Sequence, residues 1–568
     1  MNIYSRFLFI ILATHTLVCC DISSKETYTK EDAAPPEILL GERLFLETRF
    51  AQFFYKYLKS GGDTNKAMPE GDPVLNKTVR FFGLPPYQIP FTDNPYAGKS
   101  INCRTCHMVD EHSEQSELGV RAFSDFAARS PVPTRKDNQK TVVRNSPILV
   151  QASISRDNFI LHADGEFASL KDLIYNTVAG RNFGWIPGEK QQAINHVCQI
   201  IKEDNGKDEL ANKYGELSYV ELFSGTTNEG TQVKQEYLLP EEYKININTA
   251  SCDEIYDGVI NLLVTYTENL TFGNNEEDLS PYDLFLKINN LPTQNNENET
   301  DLQYSKRLLE EIGLLKNDNK LKFIDKNPNT EDGKFKSHDP DYKFGEEELI
   351  GLEVFFNQDT EDEVGTGNCI ACHAAPHFTD YGLHNIGITQ IEYDNIHGFG
   401  KFAALNIPTL KQREKNPNVF LPANEKNPKR KGIFRRPASQ EHPAYTDLGA
   451  WNILFNADYP LPQESVYNLI CIKDGKLICK SKEDALERSL ASMKTPGLRD
   501  LGHSAPYMHN GQISDLHAVV GFYLAASINT RNEQFRNPDE DIAKIDIKPK
   551  DVIPLTLFLI SLYEDYNL

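Results

Sequence analysis

Apolar residues in this chain come in short groups separated by polar turns. The first group, residues 7–18, follows a single Arg6 and has the length of a secretory signal core. It is too short to cross a bilayer, which takes roughly 18 or more apolar residues, and no other run reaches that length. Further along, apolar positions recur at helical spacing. In 191–203 they fall at Ala193, Ile194, Val197, Cys198, Ile200 and Ile201, and in 301–315 at Leu302, Tyr304, Leu308, Ile312 and Leu315. Both stretches predict amphipathic helices. The Asn/Glu-rich segment 293–300 reads as a linker. The segment from Cys471 to Cys479 flanks Asp474 and Gly475 with apolar residues and predicts a hairpin. The end, 551–563, predicts a terminal helix whose apolar run 553–560 is sized for a core.

Composition narrows the partners. The chain has 568 residues, with 59 Lys+Arg against 82 Asp+Glu, a formal net charge of −23. Nucleic-acid binding needs clustered cations on the phosphates, and so overall acidic a chain is a poor candidate for it or for an anionic membrane surface. With 39% hydrophobic residues the chain can bury sizeable cores, so wholesale disorder is excluded.

The apolar N-terminal run leads into Leu17, Val18, Cys19 and Cys20, then a polar stretch. This is similar to a bacterial lipoprotein signal with Cys20 as the acylated residue; a plain cleaved signal peptide is the other reading. Residues 1–20 are thus read as a signal peptide and 21–39 as a polar tether. The expected location is the periplasm or cell envelope, with membrane contact only through an N-terminal lipid anchor. Export to an oxidising space also bears on the cysteines. Of ten, two lie in the signal and four in C-x-x-C pairs, leaving Cys198, Cys252, Cys471 and Cys479. An even remainder suggests two disulfides. Counting outward from Gly475 sets Cys471 opposite Cys479, and Cys198 to Cys252 follows by elimination.

Cys103, Cys106 and His107 form one C-x-x-C-H motif, and Cys369, Cys372 and His373 form a second. Two cysteines three apart project from one side of a helical turn and can form thioethers with two porphyrin vinyls. The adjacent His then supplies the proximal iron ligand. A thioredoxin-like reading leaves the histidines unexplained, and zinc would need further ligands that are not supplied. Two covalently bound c-type haems are expected.

Around these motifs stand Arg144-Asn145-Ser146-Pro147, Asp164-Gly165, Ala168-Ser169-Leu170, Phe378-Thr379-Asp380, His384-Asn385-Ile386-Gly387, Lys494-Thr495-Pro496-Gly497-Leu498-Arg499, and the run from Ser504 to Gly511. On these residues the chain resembles the bacterial dihaem cytochrome c peroxidases and the related tryptophylquinone-forming enzyme MauG. The resemblance implies a mainly α fold of two cytochrome c-like haem domains with large insertions. The histidines are 266 apart, longer than the family's usual spacing. The expected division is therefore an N-terminal haem domain, 40–345, with an insertion at about 187–345, and a C-terminal haem domain, 346–568, with an insertion at about 405–490.

The resemblance also implies ligands. The second haem's distal position falls on Tyr523, where peroxidases carry Met and MauG carries Tyr; Met508 and His517 are the competitors. A hard, anionic phenolate favours ferric iron and a low potential. At the first haem, the removable distal His of many family members is replaced by Phe123, and His112 lies too close to His107 to reach round the porphyrin easily. An open first haem is expected, meeting hydrogen peroxide or dioxygen. Here the chain departs from the family. His162 and Ala163 replace the Phe-Trp pair before Asp164-Gly165, the distal Gln aligns with Leu173, and the catalytic Glu aligns with the region from Arg181 to Trp185. His162, Asp164 or Glu166 can take over proton transfer, His162 foremost. An apolar pocket with Phe183 and Trp185 instead suits a dihaem oxygenase, similar to the rubber oxygenases of this fold. Trp185 is a core residue or an electron relay. Calcium is implied at Asn145, Ser504 and Pro506. The expected activity is that of a peroxidase-type oxidoreductase fed by a small redox protein or another electron donor; the alternatives are a dioxygen-activating oxygenase and an electron-transfer cytochrome without enzyme activity.

Overall fold

A computed structural model gives the fold and describes residues 34–66, 80–82, 89–91, 102–104, 106–107, 128–271, 279–328, 333–335, 340–358, 365–473 and 475–563. The signal, most of the tether, His112 and Phe123 lie outside the described residues. The described chain is mainly helical, with six short strands in three antiparallel pairs.

Local chemistry explains where the helices start. Ser169, Ser251, Ser280, Thr300 and Asp515 each accept an N–H of the first turn, and Ser251 and Thr300 complete capping boxes with Glu254 and Gln303. The two helices expected from amphipathic spacing form as Lys190–Glu203 and Asp301–Asn317. The terminal helix is shorter than expected, Val552–Ile560, with Asp551 in the preceding 3-10 turn.

Packing repeats one design twice. Helix Pro36–Leu46 crosses helix Cys252–Asn269, and Gly41 allows the approach because a Cβ there would collide with the Leu262 carbonyl. Helix Glu346–Phe356 crosses helix Val552–Ile560 in the same way, with Gly351 against the Pro554 carbonyl. Each crossing pair frames one C-x-x-C-H motif. The first apolar core joins Leu44, Phe45, Ile194, Val197, Ile260 and Leu263. The second joins Leu352, Phe355, Phe378, Leu555 and Phe558.

This packing differs from the division expected from motif spacing. The helix that closes the first unit ends at 269, so 187–269 belongs to that unit's core rather than to an appendage. Residues 279–344 pack into the second core instead. Tyr282 meets Phe378 and Phe558 at centroid distances of 5.4 and 6.0 Å, and the Ser305 hydroxyl accepts the Ala375 N–H at 2.9 Å. The break between the two cores therefore falls between 271 and 279, not at 345.

The segment expected as a second insertion supplies most of two small cores, one around Ile453, Leu454 and Val466 that Ile160 and Leu383 join, and one around Phe434, Leu448 and Trp451 that Tyr393 and Phe402 join. It carries the hairpin Ile472–Lys473 and Lys476–Leu477. Both expected disulfides are present, Cys198–Cys252 and Cys471–Cys479. The hairpin register pairs Ile472 with Leu477, so Cys471 faces Ile478, whose N–H it accepts. The bridge to Cys479 is one residue off the directly opposed position, because the register pairs Lys473 with Lys476 and so centres the hairpin between 474 and 475 rather than on Gly475.

Candidate haem site

Both C-x-x-C-H motifs fold into the same local turn. The His107 N–H donates to the Cys103 carbonyl at 2.9 Å, and the His373 N–H to the Cys369 carbonyl at 2.7 Å. This brings each pair of thiols and its imidazole to one side of the backbone. The second turn is entered through Asn368 in the left-handed conformation, φ +49°. None of these four thiols is in a disulfide, whereas the other four described cysteines are. Burial pushes Cys103 and Cys369 up to about 12, so both are neutral thiols.

The four thiols and two imidazoles line one cavity of about 1820 Å³. Each His is oriented by its own chain: His107 Nδ1 donates to the Pro147 carbonyl at 2.8 Å and His373 Nδ1 to the Phe378 carbonyl at 2.9 Å. That fixes the tautomer and leaves Nε2 as the lone-pair donor. Burial holds His107 down to about 4 and lowers His373 as well, so both are neutral, the form that binds a metal. Thiols in pairs outside any disulfide, carbonyl-tethered neutral imidazoles and a shared cavity fit two haems.

Around the second motif, helix Leu516–Arg531 brings Tyr523 to the cavity beside Leu516 and Val520. Burial raises its phenol above the usual range, reinforced by the neighbouring Cys372 and Cys369 thiols. Met508 also lines the cavity, at φ +70°. His517 does not; it is exposed on the outer face of the same helix. His384 sits between Asp380 at 2.8 Å and Asp539 at 2.6 Å. Burial works against its charge, but Asp380 and Asp539 hold its pKa well above the ordinary value.

Around the first motif, His162 takes φ +64° and lines the cavity with Leu173, Phe183 and Trp185. His162 Nδ1 lies 2.9 Å from Glu166, and Glu166 in turn pairs with Arg435 at 2.5 Å. Burial would raise the Glu166 carboxyl, but Arg435 and His162 hold it well below the usual range. Asp164 is wholly buried between Arg144 at 2.8 Å and Arg435 at 3.0 Å, and Arg144 also pairs with Asp447 at 2.6 Å. Burial would raise Asp447 too, but Arg144 holds it at about 2. Asp164 is thus locked between two guanidinium groups, while His162 keeps Nε2 free of a described partner. Arg181 carries Asp137 at 2.7 Å.

Of the residues expected to share calcium, Asn145 and Pro506 do come together, but the Asn145 amide donates directly to the Pro506 carbonyl. Its Oδ1 accepts the Ser146 N–H at 2.9 Å, and Ser504 lines the same cavity. Sequence reasoning missed Arg435, Asp447 and Asp539. Arg435 and Asp447 lie in the second insertion, 269 and 303 residues from their partners Glu166 and Arg144, with no local pattern to mark them.

No family model matches the chain. Among characterised proteins it is similar to the cytochrome-c peroxidase IdrP2 of Denitromonas iodatirespirans, 29% identical over 178 residues, which are 30% of each chain. It resembles the dihaem cytochrome c peroxidase and MauG family. The match spans less than a third of that peroxidase's length. Two solved structures align along most of the chain. One is a MauG-like protein associated with microbial copper homeostasis, at 12% identity and TM-score 0.41, covering 93% of this chain and 90% of that one. The other is the dihaem peroxidase BthA of Burkholderia thailandensis, at 14% and 0.42, covering 93% and 86%.

Proposed function

We propose that this chain is an exported dihaem c-type oxidoreductase of the peroxidase type, reducing hydrogen peroxide or using it to oxidise a partner. The observation that carries this reading is the single cavity into which both C-x-x-C-H motifs turn their thiols and tethered imidazoles. Cys103 and Cys106 would hold one haem and Cys369 and Cys372 the other, with His107 and His373 each offering an imidazole nitrogen to the iron. When bound, the haems supply the iron that meets the oxidant and the store of electrons. The chain's part is orientation and proton handling. The Pro147 and Phe378 carbonyls keep each imidazole in one tautomer and increase its basicity. Tyr523, buried and protonated in the bare chain, would help hold the second haem through its phenolate oxygen and favour the ferric state.

His162 supplies the acid and base. With Nδ1 held by Glu166, its Nε2 takes a proton from one peroxide oxygen and returns it to the departing one. Two electrons from the donor and two protons then complete the conversion of peroxide to two water molecules. The donor would be a small redox protein or another external reductant. Phe183 and Trp185 on the cavity wall favour a second reading, dioxygen activation. Export to the periplasm or cell envelope, with Cys20 lipid-anchored, rests on the N-terminal apolar run and on two disulfides. Calcium at Asn145, Ser504 and Pro506 would require the Asn145 amide to turn its oxygen toward the Pro506 carbonyl.

Stopped-flow mixing of the haem-loaded protein with hydrogen peroxide tests the reading. A fast spectral change followed by stoichiometric oxidation of a reduced c-type cytochrome is expected. His162→Gln should slow peroxide consumption by about 10²-fold or more at unchanged haem content. A spectrum inert to peroxide but responsive to dioxygen in the reduced state would replace this reading with the oxygenase one.

A further inference from the structure

The second insertion also shapes the first haem's surroundings. Its loop 422–436 forms part of the cavity wall, contributing Lys426, Lys429, Arg430, Lys431, Arg435 and Arg436. Lys136, Arg181 and Lys190 face the same space from the first unit. Three of these cations are neutralised: Arg181 by Asp137, Arg430 by Asp458, and Arg435 by Asp164 and Glu166.

The others are not. Lys136, Lys426, Lys429 and Lys431 are exposed and have no ion-pair partner among the described residues. Lys190 Nζ donates to the Asn176 amide oxygen, at 3.0 Å, and lies over the Tyr175 ring, 4.4 Å from its centroid, and Arg436 donates through Nε and Nη2 to the Lys431 carbonyl, at 3.1 and 3.0 Å. Both are partly buried, and burial lowers both from their ordinary values, so a bound anion would relieve a cost already present. Two carboxylates on this wall, Glu425 and Asp172, act on Lys190 and offset part of its charge. Glu425 accepts the Gly188 N–H at 3.0 Å, and Asp172 accepts the Ser169 hydroxyl at 2.8 Å. A cationic wall on a chain of net charge −23 concentrates positive potential where the cavity walls exclude water.

We propose that this wall is an anion-binding entrance to the first haem cavity, taking small multiply charged anions with carboxylate or phosphate-like oxygens. It rests on the reading of the cavity as a haem site, but its test does not use peroxide. Calorimetric titration of the resting haem-loaded protein with inorganic pyrophosphate at low salt is expected to show saturable binding that weakens as salt rises. Lys426→Glu/Lys429→Glu/Lys431→Glu is expected to raise Kd about tenfold or more, with the haem spectrum unchanged. A control of equal charge, Lys213→Glu/Lys306→Glu/Lys320→Glu, should bind like the parent. No saturable binding, equal weakening in both triple variants, or loss of haem in the loop variant alone would each overturn the proposal; the last would assign the lysines to the haem propionates.

Discussion

His162, Glu166 and Arg435 show how far single residues were legible. The C-x-x-C-H motifs were plain because their chemistry needs neighbours one to four positions apart. His162 was reachable by register against the family motif. Its partner's partner, Arg435, was not, because a salt bridge across 269 residues leaves no periodic trace. The same holds for the buried network under the first unit. Arg43 pairs with Asp204 at 3.0 Å, Arg49 with Asp204 at 3.0 Å and with Glu47 at 2.7 Å, and the Tyr219 hydroxyl donates to Glu47 at 2.8 Å. Burial alone would raise Glu47, but Arg49 wins and holds it at about 2, against an ordinary 4.5. A depressed carboxylate contributes stability that is present above its unfolded value and lost as pH falls through its folded one. Unfolding free energy should therefore drop by about 3 kcal/mol from this group between about pH 4.5 and 2. Urea unfolding across that window should show the drop, and Glu47→Gln should flatten it; an unchanged slope in the variant would contradict the assignment.

At the level of elements, amphipathic spacing found helices Lys190–Glu203 and Asp301–Asn317, and turn residues found the hairpin. Spacing gives a helix its buried face but not its partner. That is why Cys252–Asn269 read as part of an insertion although it closes the first unit, and why 279–344 was assigned to the wrong core. The disulfides follow this division. Cys198–Cys252 closes 54 residues inside the first core, tying Lys190–Glu203 to the closing helix; Cys471–Cys479 closes only 8, in a small core of the second insertion. Loop-closure entropy gives about 4 kcal/mol for the first and about 2.5 kcal/mol for the second. Chemical denaturation of Cys198→Ser/Cys252→Ser and Cys471→Ser/Cys479→Ser should reproduce that order. A larger loss from the hairpin pair would mean that the hairpin, not the crossing helices, limits unfolding.

Across the whole molecule, one helical unit with a C-x-x-C-H motif occurs twice, and both copies open on one cavity. The duplicated motif was visible in the sequence; the duplicated Gly41 and Gly351 crossings were not, since a lone glycine in a helix carries no sign of what approaches it. The insertion was recognised as extra chain, yet its placement as a cavity wall depends on contacts between distant segments. The proposed function turns on an inequality between the two haem positions: Tyr523 would cap the second, and the first would be left for an oxidant. Electron paramagnetic resonance of the resting ferric, haem-loaded protein reads that inequality directly. One high-spin and one low-spin signal in equal amounts is the predicted result; two low-spin signals, with both irons closed by protein ligands, would contradict it.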